Sequence, residues 1–312
     1  MKRLSLLLGL LIYVVSMRGA TSATYDFAVV DGDTLRMDVY MPGCCLDGPA
    51  KPAVIFAFGG GFKGGERDND SYKKYFDFLC SRGVAVISTD YRTSLAKANP
   101  GELGSVEGFA KAVQGAVTDA VTDFYKATAF VLAHAGDWGI DPAKIIASGS
   151  SAGAITALQA EYVLANGGVP AGVFPEGFNY AAVVSFAGAI CTEGDIAWKS
   201  KPCPMMLFHG DADRNVPYDE LGVGGVALCG SRAIATSLAG VGVACEFYTF
   251  AGSDHSIAIS PMQDRLYTIF GFVNRVCSGK ERSSLNAFDF VPGVASDYQT
   301  EFTIADYIKA NM

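Results

Sequence analysis

Ser151 is the residue of this chain best placed to act as a nucleophile. It stands at the centre of Gly149–Gly153, whose sequence GSSAG fits the pattern G-x-S-x-G. In that pattern a strand turns sharply into a helix and presents the serine hydroxyl above the sheet edge, and small neighbours let the turn close. Residues 144–148 are apolar and residues 154–158 favour a helix, as the pattern requires. We therefore predict a nucleophile at Ser151 and expect Ser150 to point toward the sheet.

A serine hydroxyl needs a general base within hydrogen-bond reach, and that base needs an acid to orient it. The chain has three histidines, at positions 134, 209 and 255. His255 follows the predicted strand Cys245–Phe250, and the carboxyl end of a parallel strand is where such a base is expected. His134 lies near the end of a long predicted helix, and a structural role is expected for it. His209 ends the predicted strand Pro204–Phe208 and could lie near the site, but the glycine after it favours a structural or turn role. His255 is the predicted base.

Two aspartates follow the predicted strand Pro204–Phe208 and could orient that base. Asp211 and Asp213 lie on the same loop, in the sequence HGDADRNVP. Asp213 is the preferred acid, because Ser151, Asp213 and His255 then follow one another in the order of a known triad arrangement. Asp211 is the alternative, and the aspartate that does not serve as the acid is expected to turn or cap the loop.

Consecutive glycines after the predicted strand Pro52–Phe58 offer hydrogen-bond donors for a developing oxyanion. Attack on a carbonyl carbon places negative charge on its oxygen, which preorganised N–H groups stabilise. Gly60 and Gly61 are the predicted donors of this loop, and the N–H of Ala152 is the predicted third donor. The alternative interpretation is a flexible glycine turn without a catalytic role.

A targeting segment is predicted at the amino terminus. Lys2 and Arg3 precede the apolar residues 4–15, and small residues at 21–23 offer a cleavage site. We expect residues 1–23 to be a signal peptide and the mature protein to be secreted or periplasmic. The alternative, an uncleaved membrane anchor, is disfavoured by the short apolar stretch. Removal of residues 1–23 deletes three basic residues and changes the formal charge from −8 to −11, which disfavours binding of nucleic acid or anionic membranes.

The cysteine content fits an exported protein. An even number of cysteines in such a chain predicts disulfides, with free buried thiols as the alternative. No C-x-x-C pair occurs, so a structural zinc site is not expected. The eight cysteines are Cys44, Cys45, Cys80, Cys191, Cys203, Cys229, Cys245 and Cys277.

Apolar strands alternate with helices along the chain, which predicts an α/β fold with a mostly parallel sheet and helices on both faces. A hairpin comes first, and residues 24–280 form the predicted main domain. Residues 281–312 form a carboxyl-terminal extension whose aromatic residues are expected to pack on that domain, with a short helix at Thr303–Ala310. Further predicted strands are Val84–Thr89, Lys144–Ser148 and Ala181–Phe186, and the predicted helices are Ser71–Ser81, one within Val106–Ala135, Ala152–Leu164, Ala227–Ala239 and Pro261–Cys277.

These motifs together resemble the α/β-hydrolase superfamily, over most of residues 27–277. Within it the chain is similar to carboxylesterases related to hormone-sensitive lipase and to bacterial feruloyl and acetyl esterases. Short motifs carry the resemblance. They are FGGGF at 58–62, DYR at 90–92, GIDP at 139–142, GSSAG at 149–153, GDAD at 210–213 with VP at 216–217, and DH at 254–255. Two positions depart from the family pattern: Phe58 replaces the usual histidine before the glycines, and Ala154 replaces the usual second glycine after the serine.

The resemblance implies an α/β-hydrolase fold with a central sheet of about eight strands and a Ser151–His255–Asp213 triad. It also implies an oxyanion hole at Gly60, Gly61 and Ala152, and no metal or organic cofactor. The expected function is that of a secreted serine carboxylesterase acting on a small-molecule or carbohydrate-linked ester, with acetyl or feruloyl esters of plant polysaccharides as expected substrates. Aromatic residues near the expected pocket could line an acyl site or could simply pack in their loops: Phe174, Phe178, Tyr180 and Tyr218.

Three other functions compete with this interpretation. A serine peptidase of the same fold would use the same triad. A catalytically inactive binding module would be expected to lack a triad member. A dinucleotide-binding oxidoreductase would use Gly59–Gly64 as G-x-G-x-x-G with Asp90 as the ribose-binding acid. The polar residues Glu66–Asp70 separate those glycines from the next helix, which disfavours the oxidoreductase.

Overall fold

A nine-stranded, mostly parallel sheet forms the centre of the protein. The computed structural model describes residues 21–43, 49–99, 101, 103–223, 225–280, 284–289 and 302–311. The strands are β1 (Thr21–Val30), β2 (Asp33–Met41), β3 (Lys51–Ala57), β4 (Ala85–Thr89), β5 (Ile140–Ser150), β6 (Ala182–Phe186), β7 (Ala189–Thr192), β8 (Met205–Gly210), β9 (Glu220–Val223), β10 (Val226–Gly230), β11 (Cys245–Phe250) and β12 (Leu285–Asp289).

The large sheet has the strand order β1-β2-β4-β3-β5-β6-β8-β11-β12. The β1–β2 and β2–β4 pairs are antiparallel, and every later pair is parallel. Every residue of β4, β6 and β8 is buried. Continuous apolar strands of this kind are typical of parallel sheets covered on both faces. The predicted α/β fold is confirmed, and the carboxyl ends of β5, β8 and β11 meet at one edge of the sheet.

Seven α-helices and two short 3-10 helices (Ser94–Lys97 and His255–Ala258) are described, and the α-helices pack in groups that cover the sheet. They are α1 (Asp70–Ser81), α2 (Val106–Trp138), α3 (Ala152–Ala165), α4 (Ser231–Gly240), α5 (Pro261–Asp264), α6 (Leu266–Cys277) and α7 (Ile304–Asn311). Helix α1 packs against α5 and α6, and α2 packs against α3. The long helix α2 begins where the Ser105 hydroxyl accepts the N–H of Gly108, and it ends at Gly139 in the left-handed conformation.

Two predicted helices differ from the structure. The segment Ala227–Ala239 was predicted as one helix, but its first residues belong to β10, and α4 starts at Ser231. Strand β10 lies between β7 and β9 in a small antiparallel sheet that the sequence did not indicate. A short apolar run such as that of β10 does not distinguish a strand from a helix by periodicity. The predicted helix Pro261–Cys277 is two helices, α5 and α6, separated at Arg265.

The carboxyl-terminal extension contributes to the fold at two places. Strand β12 pairs in parallel with β11 and becomes the ninth strand of a sheet for which the resemblance implied about eight. Helix α7 closely matches the predicted helix, and its Tyr307 is buried. The expectation that the aromatic residues of this extension pack on the body is wrong for Phe288, which is 73% exposed. Phe290 and Tyr298 lie outside the described residues.

The structure describes part of the amino terminus and six of the eight cysteines. The predicted signal peptide lies outside the described residues except for residues 21–23, which form the start of β1 and pair with β2. The six described cysteines are free thiols, so the predicted disulfides do not form among them, and Cys44 and Cys45 lie outside the described part of the chain. No described helix is both long enough and apolar enough to cross a bilayer.

Candidate active site

The predicted nucleophile lies on a strained turn between β5 and α3. Ser151 has φ 52° and ψ −118°, a conformation that residues with a side chain rarely adopt. Glycines on both sides make the turn possible. A Cβ atom at Gly149 would lie 2.2 Å from the carbonyl oxygen of Gly153, and one at Gly153 would lie 2.0 Å from that of Ala57. The turn therefore holds the Ser151 hydroxyl at the carboxyl edge of the sheet, and strain of this kind is found at functional sites.

The side chains of Ser151, His255 and Asp213 form one hydrogen-bonded chain. The His255 Nδ1 atom is 2.6 Å from Asp213 Oδ2, and its Nε2 atom is 2.8 Å from Ser151 Oγ. An ionised carboxylate can only accept a hydrogen bond, so Nδ1 carries the proton in neutral His255. The Nε2 atom is then left to accept the hydroxyl proton of Ser151. This tautomer is the one in which an imidazole can act as a general base toward a serine.

Asp213 is buried, yet four donors surround its carboxylate. The N–H groups of Asn215 and Val216 donate to Oδ1 at 2.8 and 3.0 Å. His255 and His209 lie 2.6 and 3.4 Å from Oδ2. Burial favours the neutral acid, but the hydrogen bonds from the two histidines outweigh it and hold the pKa of Asp213 well below its usual range. Asp213 is therefore an anion at neutral pH and can stabilise a positive charge on His255.

The other predicted candidates take structural positions. Asp211 accepts the N–H of Gly252 and so ties its own loop to the loop that leads to His255. His134 bonds the Phe130 carbonyl within α2, away from this site. His209 is fully buried beside the Asp213 carboxylate. The sequence allowed a place near the site for His209 but did not indicate this contact.

Ser150 joins the two turns that carry the hydroxyl and the imidazole. It is buried, and its hydroxyl donates to the carbonyl of Ala258 at 2.8 Å. Ala258 is the last residue of the short 3-10 helix His255–Ala258. Ser150 therefore fixes the distance between the turn of Ser151 and the turn of His255.

Aromatic residues hold the glycine loop that follows β3. The ring of Phe58, which stands where the family has a histidine, stacks on Tyr91 with 4.5 Å between ring centroids. The Tyr91 hydroxyl donates to the Phe58 carbonyl at 2.8 Å, and the N–H of Gly59 donates to the Tyr72 hydroxyl at 3.0 Å. These two tyrosines fix the loop beside the serine turn without the histidine.

The predicted oxyanion donors occupy two kinds of position. Gly61 and Ala152 line the same cavity as Ser151. Ala152 is the first residue of α3, where an N–H has no partner within the helix. Gly60 is not among the described lining residues, and its carbonyl accepts the N–H of Gly64 and closes the loop. A Cβ atom at Gly60 would lie 2.1 Å from the Gly64 carbonyl oxygen, so that turn requires glycine.

Most of the cavity beside the serine is built by residues that sequence reasoning missed. Phe62 could have been found, because it follows the three glycines directly, and its positive φ of 59° marks it as part of the same strained loop. The others lie on the 3-10 helix Ser94–Lys97, on α2, α3 and α7, and on the acid loop, far apart in the sequence. The missed lining residues are Phe62, Leu95, Phe109, Val113, Ile155, Asn215, Val216, Tyr307 and Asn311.

The aromatic residues suggested for an acyl site pack elsewhere. Phe174, Phe178 and Tyr180 contact one another, and Phe174 also contacts Tyr125 of α2. The Tyr218 hydroxyl lies 2.7 Å from that of Thr249. None of the four is among the described residues that line the Ser151 cavity, so loop packing is the interpretation that the structure favours.

Comparisons with known proteins agree with this geometry. Residues 37–190 match the model of the family BD-FAE, an esterase family of the α/β-hydrolase type. The chain is similar to an esterase of the planctomycete Thermogutta terrifontis in its propionate-bound structure, with a TM-score of 0.62, 22% identity, and coverage of 85% of this chain and 97% of that one. For the apo form of that esterase the TM-score is 0.59 at 23% identity, with coverage of 86% of this chain and 98% of that one. For the butyrate-bound form the TM-score is 0.60 at 23% identity, with coverage of 85% of this chain and 96% of that one. No curated protein sequence matches the chain. At these identities, the structural similarity shows the fold.

Proposed function

We propose that this chain is a carboxylesterase of the α/β-hydrolase type, which cleaves esters with Ser151 as nucleophile, His255 as base and Asp213 as orienting acid. One observation carries this proposal: the unbroken chain of hydrogen bonds from Ser151 Oγ through the imidazole to the buried carboxylate. The strained serine turn and the tautomer imposed on His255 both support it.

The proposed reaction has two steps. Ser151 Oγ attacks the ester carbonyl carbon while His255 Nε2 takes the proton of the Ser151 hydroxyl. The oxyanion that forms accepts hydrogen bonds from N–H groups of the Gly61 and Ala152 segments. His255 then gives the proton to the departing alcohol, which leaves an acyl-Ser151 ester. In the second step water attacks that ester, His255 takes a proton from the water, and the acid leaves as Ser151 regains its hydrogen. Asp213 remains ionised and stabilises the imidazolium in both steps.

We propose acetyl or feruloyl esters of plant polysaccharides as the substrate class. The match to BD-FAE supports an ester linkage. The Thermogutta esterase has structures with propionate and with butyrate, which supports a small acyl group. The predicted signal peptide at residues 1–23 supports action outside the cytoplasm, in a secreted or periplasmic protein.

The nucleophile is tested with Ser151→Ala and p-nitrophenyl acetate. Loss of the hydroxyl removes the covalent pathway, so kcat should fall by roughly four orders of magnitude or more. Labelling by a fluorophosphonate should map to Ser151 in the wild type and disappear in the variant. Ser81→Ala, at an exposed serine in the last turn of α1, is the matched control and should keep both activity and labelling.

Two results would contradict the proposal. Retention of most ester hydrolysis, or of the label, in Ser151→Ala would show that another group is the nucleophile. Faster cleavage of an anilide than of the matched ester by the wild type would identify a peptidase of the same fold.

A further inference from the structure

We propose that helix α7 forms one wall of the acyl pocket and that Tyr307 restricts the enzyme to short acyl groups such as acetyl. This inference rests on the proposed esterase function and chooses between its two acyl groups. It assigns a specificity-determining role to a segment outside the region that matches the esterase family, residues 37–190.

The cavity beside Ser151 is small and lined mostly by apolar side chains. Its free volume is about 20 Å³. Gly61 and Ala152, which lie on the oxyanion side, line it together with Ser151. An ester carbonyl bound between Ser151 and these groups would direct its acyl chain toward the apolar side chains, which are Phe62, Leu95, Phe109, Val113, Ile155, Val216 and Tyr307.

Tyr307 is one of three residues that lie between this cavity and a second one. Phe109, Val113 and Tyr307 line both, and the second cavity, of about 10 Å³, continues to Cys191 and Leu228. Tyr307 is 6% exposed, and its ring meets that of Phe109 edge-on with 5.9 Å between centroids. Tyr307 has the largest side chain of the three, so removing its phenol ring would open the cavity beside Ser151 toward the second one and lengthen the apolar pocket.

Contacts at both sides of the active site hold α7 in place. The Asn311 side-chain amide donates to the Asn215 carbonyl at 2.9 Å, and the Asn215 side chain donates to the carbonyl of Ala310 at 3.3 Å. Lys63 Nζ, on the glycine loop, donates to the carbonyl of Asn311. Helix α7 is thus fastened to the loop that carries Asp213 and to the loop beside the proposed oxyanion site, which fixes the position of Tyr307 relative to Ser151.

The size of the cavity selects the acyl group. A free volume of about 20 Å³ holds roughly one water molecule, which is about the size of the methyl group of an acetyl ester. A longer alkyl chain or the aromatic ring of a feruloyl group meets Tyr307, Phe109 and Val113. The pocket as built therefore favours acetyl esters over feruloyl esters.

The experiment compares kcat/KM for p-nitrophenyl acetate and p-nitrophenyl hexanoate. The wild type should prefer the acetate by tenfold or more, and Tyr307→Ala should raise the hexanoate-to-acetate ratio by at least tenfold, in the range that hydrophobic pockets reach for small differences in chain length. Tyr307→Phe keeps the ring and should keep the wild-type ratio. Lys309→Ala changes an exposed residue of the same helix and is the matched control.

A second variant covers the case in which Tyr307→Ala fails to fold or releases α7. Val113→Ala enlarges the same wall from α2 and should shift the ratio in the same direction. An unchanged ratio in the folded variants, or equal rates for the two esters in the wild type, would overturn the role of Tyr307 while leaving the esterase proposal intact. Absence of any ester hydrolysis in the wild type would instead overturn the proposed function, and this inference with it.

Discussion

Asp213 and Glu161 are two buried carboxylates with opposite electrostatic behaviour. Their exposed fractions are nearly equal, 3% and 1%. Hydrogen bonds from His209 and His255 overcome the effect of burial at Asp213 and lower its pKa. Burial dominates at Glu161 and raises its pKa to about 7. The difference therefore comes from the neighbours of each carboxylate and not from how deeply it is buried.

The surroundings of Glu161, on α3, show why burial prevails there. The Oε1 atom accepts the N–H of Cys203 at 2.8 Å, which offsets only part of the cost of burying a charge. The Oε2 atom has no hydrogen-bond partner among the described residues. A charge is stable in the interior only where donors replace the lost water. Asp213 has those donors and can orient His255, whereas Glu161 is partly protonated at neutral pH and belongs to the core.

Replacing Asp213, the ionised carboxylate, should give the largest loss of activity. In Asp213→Asn, the side-chain amide can donate to His255 Nδ1, which places the imidazole proton on Nε2. A protonated Nε2 atom cannot accept the hydroxyl proton of Ser151. We expect kcat for p-nitrophenyl acetate to fall by roughly four orders of magnitude. Asp211→Asn is the matched control on the same loop, and it should cost little because an amide oxygen can still accept the N–H of Gly252.

A larger loss in Asp211→Asn than in Asp213→Asn would reverse the assignment of the acid. Circular dichroism of both variants separates a catalytic loss from a loss of fold.

His209 is the donor that distinguishes the site of Asp213 most clearly from that of Glu161, and its removal should have an intermediate effect. It acts as a positioning residue: its Nε2 atom lies 3.2 Å from the Val216 carbonyl and 3.4 Å from the Asp213 carboxylate. We expect His209→Leu to lower kcat by about tenfold, because the Asp213 carboxylate loses a donor that helps to fix its position. His134→Leu, a histidine substitution away from the site, should leave kcat unchanged.

The pH dependence of stability separates this role from simple packing. The folded-state pKa of Asp213 lies below its unfolded value, so its charge stabilises the protein above about pH 4, and this contribution is lost as the pH falls further. Without the His209 donor the folded-state pKa rises, and acid unfolding should begin at a higher pH. Identical acid-unfolding midpoints for His209→Leu and the wild type would contradict the proposed support.

The parts of the site that are local in sequence could be predicted, and the parts that depend on packing could not. The GSSAG turn and the glycine loop carry their own backbone requirements, so their positions follow from short motifs. Strand–helix alternation placed His255 and the Asp211–Asp213 loop at the same sheet edge. Tyr307 gave no such signal, because its position depends on the tertiary arrangement of α7. His209 could be placed near the site from the end of its strand, but its contact with Asp213 depends on how the acid loop folds back.

The small antiparallel sheet could not be predicted for a similar reason. Strands β7, β9 and β10 have four or five residues each, and their pairing depends on contacts between distant segments. In the carboxyl-terminal extension, aromatic content alone predicted packing on the body. Tyr307 is buried as expected, but Phe288 alternates to the outside of β12, because successive side chains of a strand point to opposite faces.

Substituting Glu161, the carboxylate with fewer hydrogen-bond donors, should change stability and leave catalysis unaffected. Glu161 binds its proton more tightly in the folded protein than in the unfolded chain, so raising the pH from 4.5 to 7 lowers the free energy of unfolding, by roughly 3 kcal/mol for this group. In Glu161→Gln the amide oxygen can still accept the N–H of Cys203, and no charge develops. Urea unfolding at pH 5 and pH 8 should therefore show Glu161→Gln gaining stability relative to the wild type as the pH rises, with kcat unchanged. Asp213→Asn should lose stability relative to the wild type over the rise from pH 3 to pH 5. If both variants shifted in the same direction, burial rather than the number of donors would govern the two carboxylates.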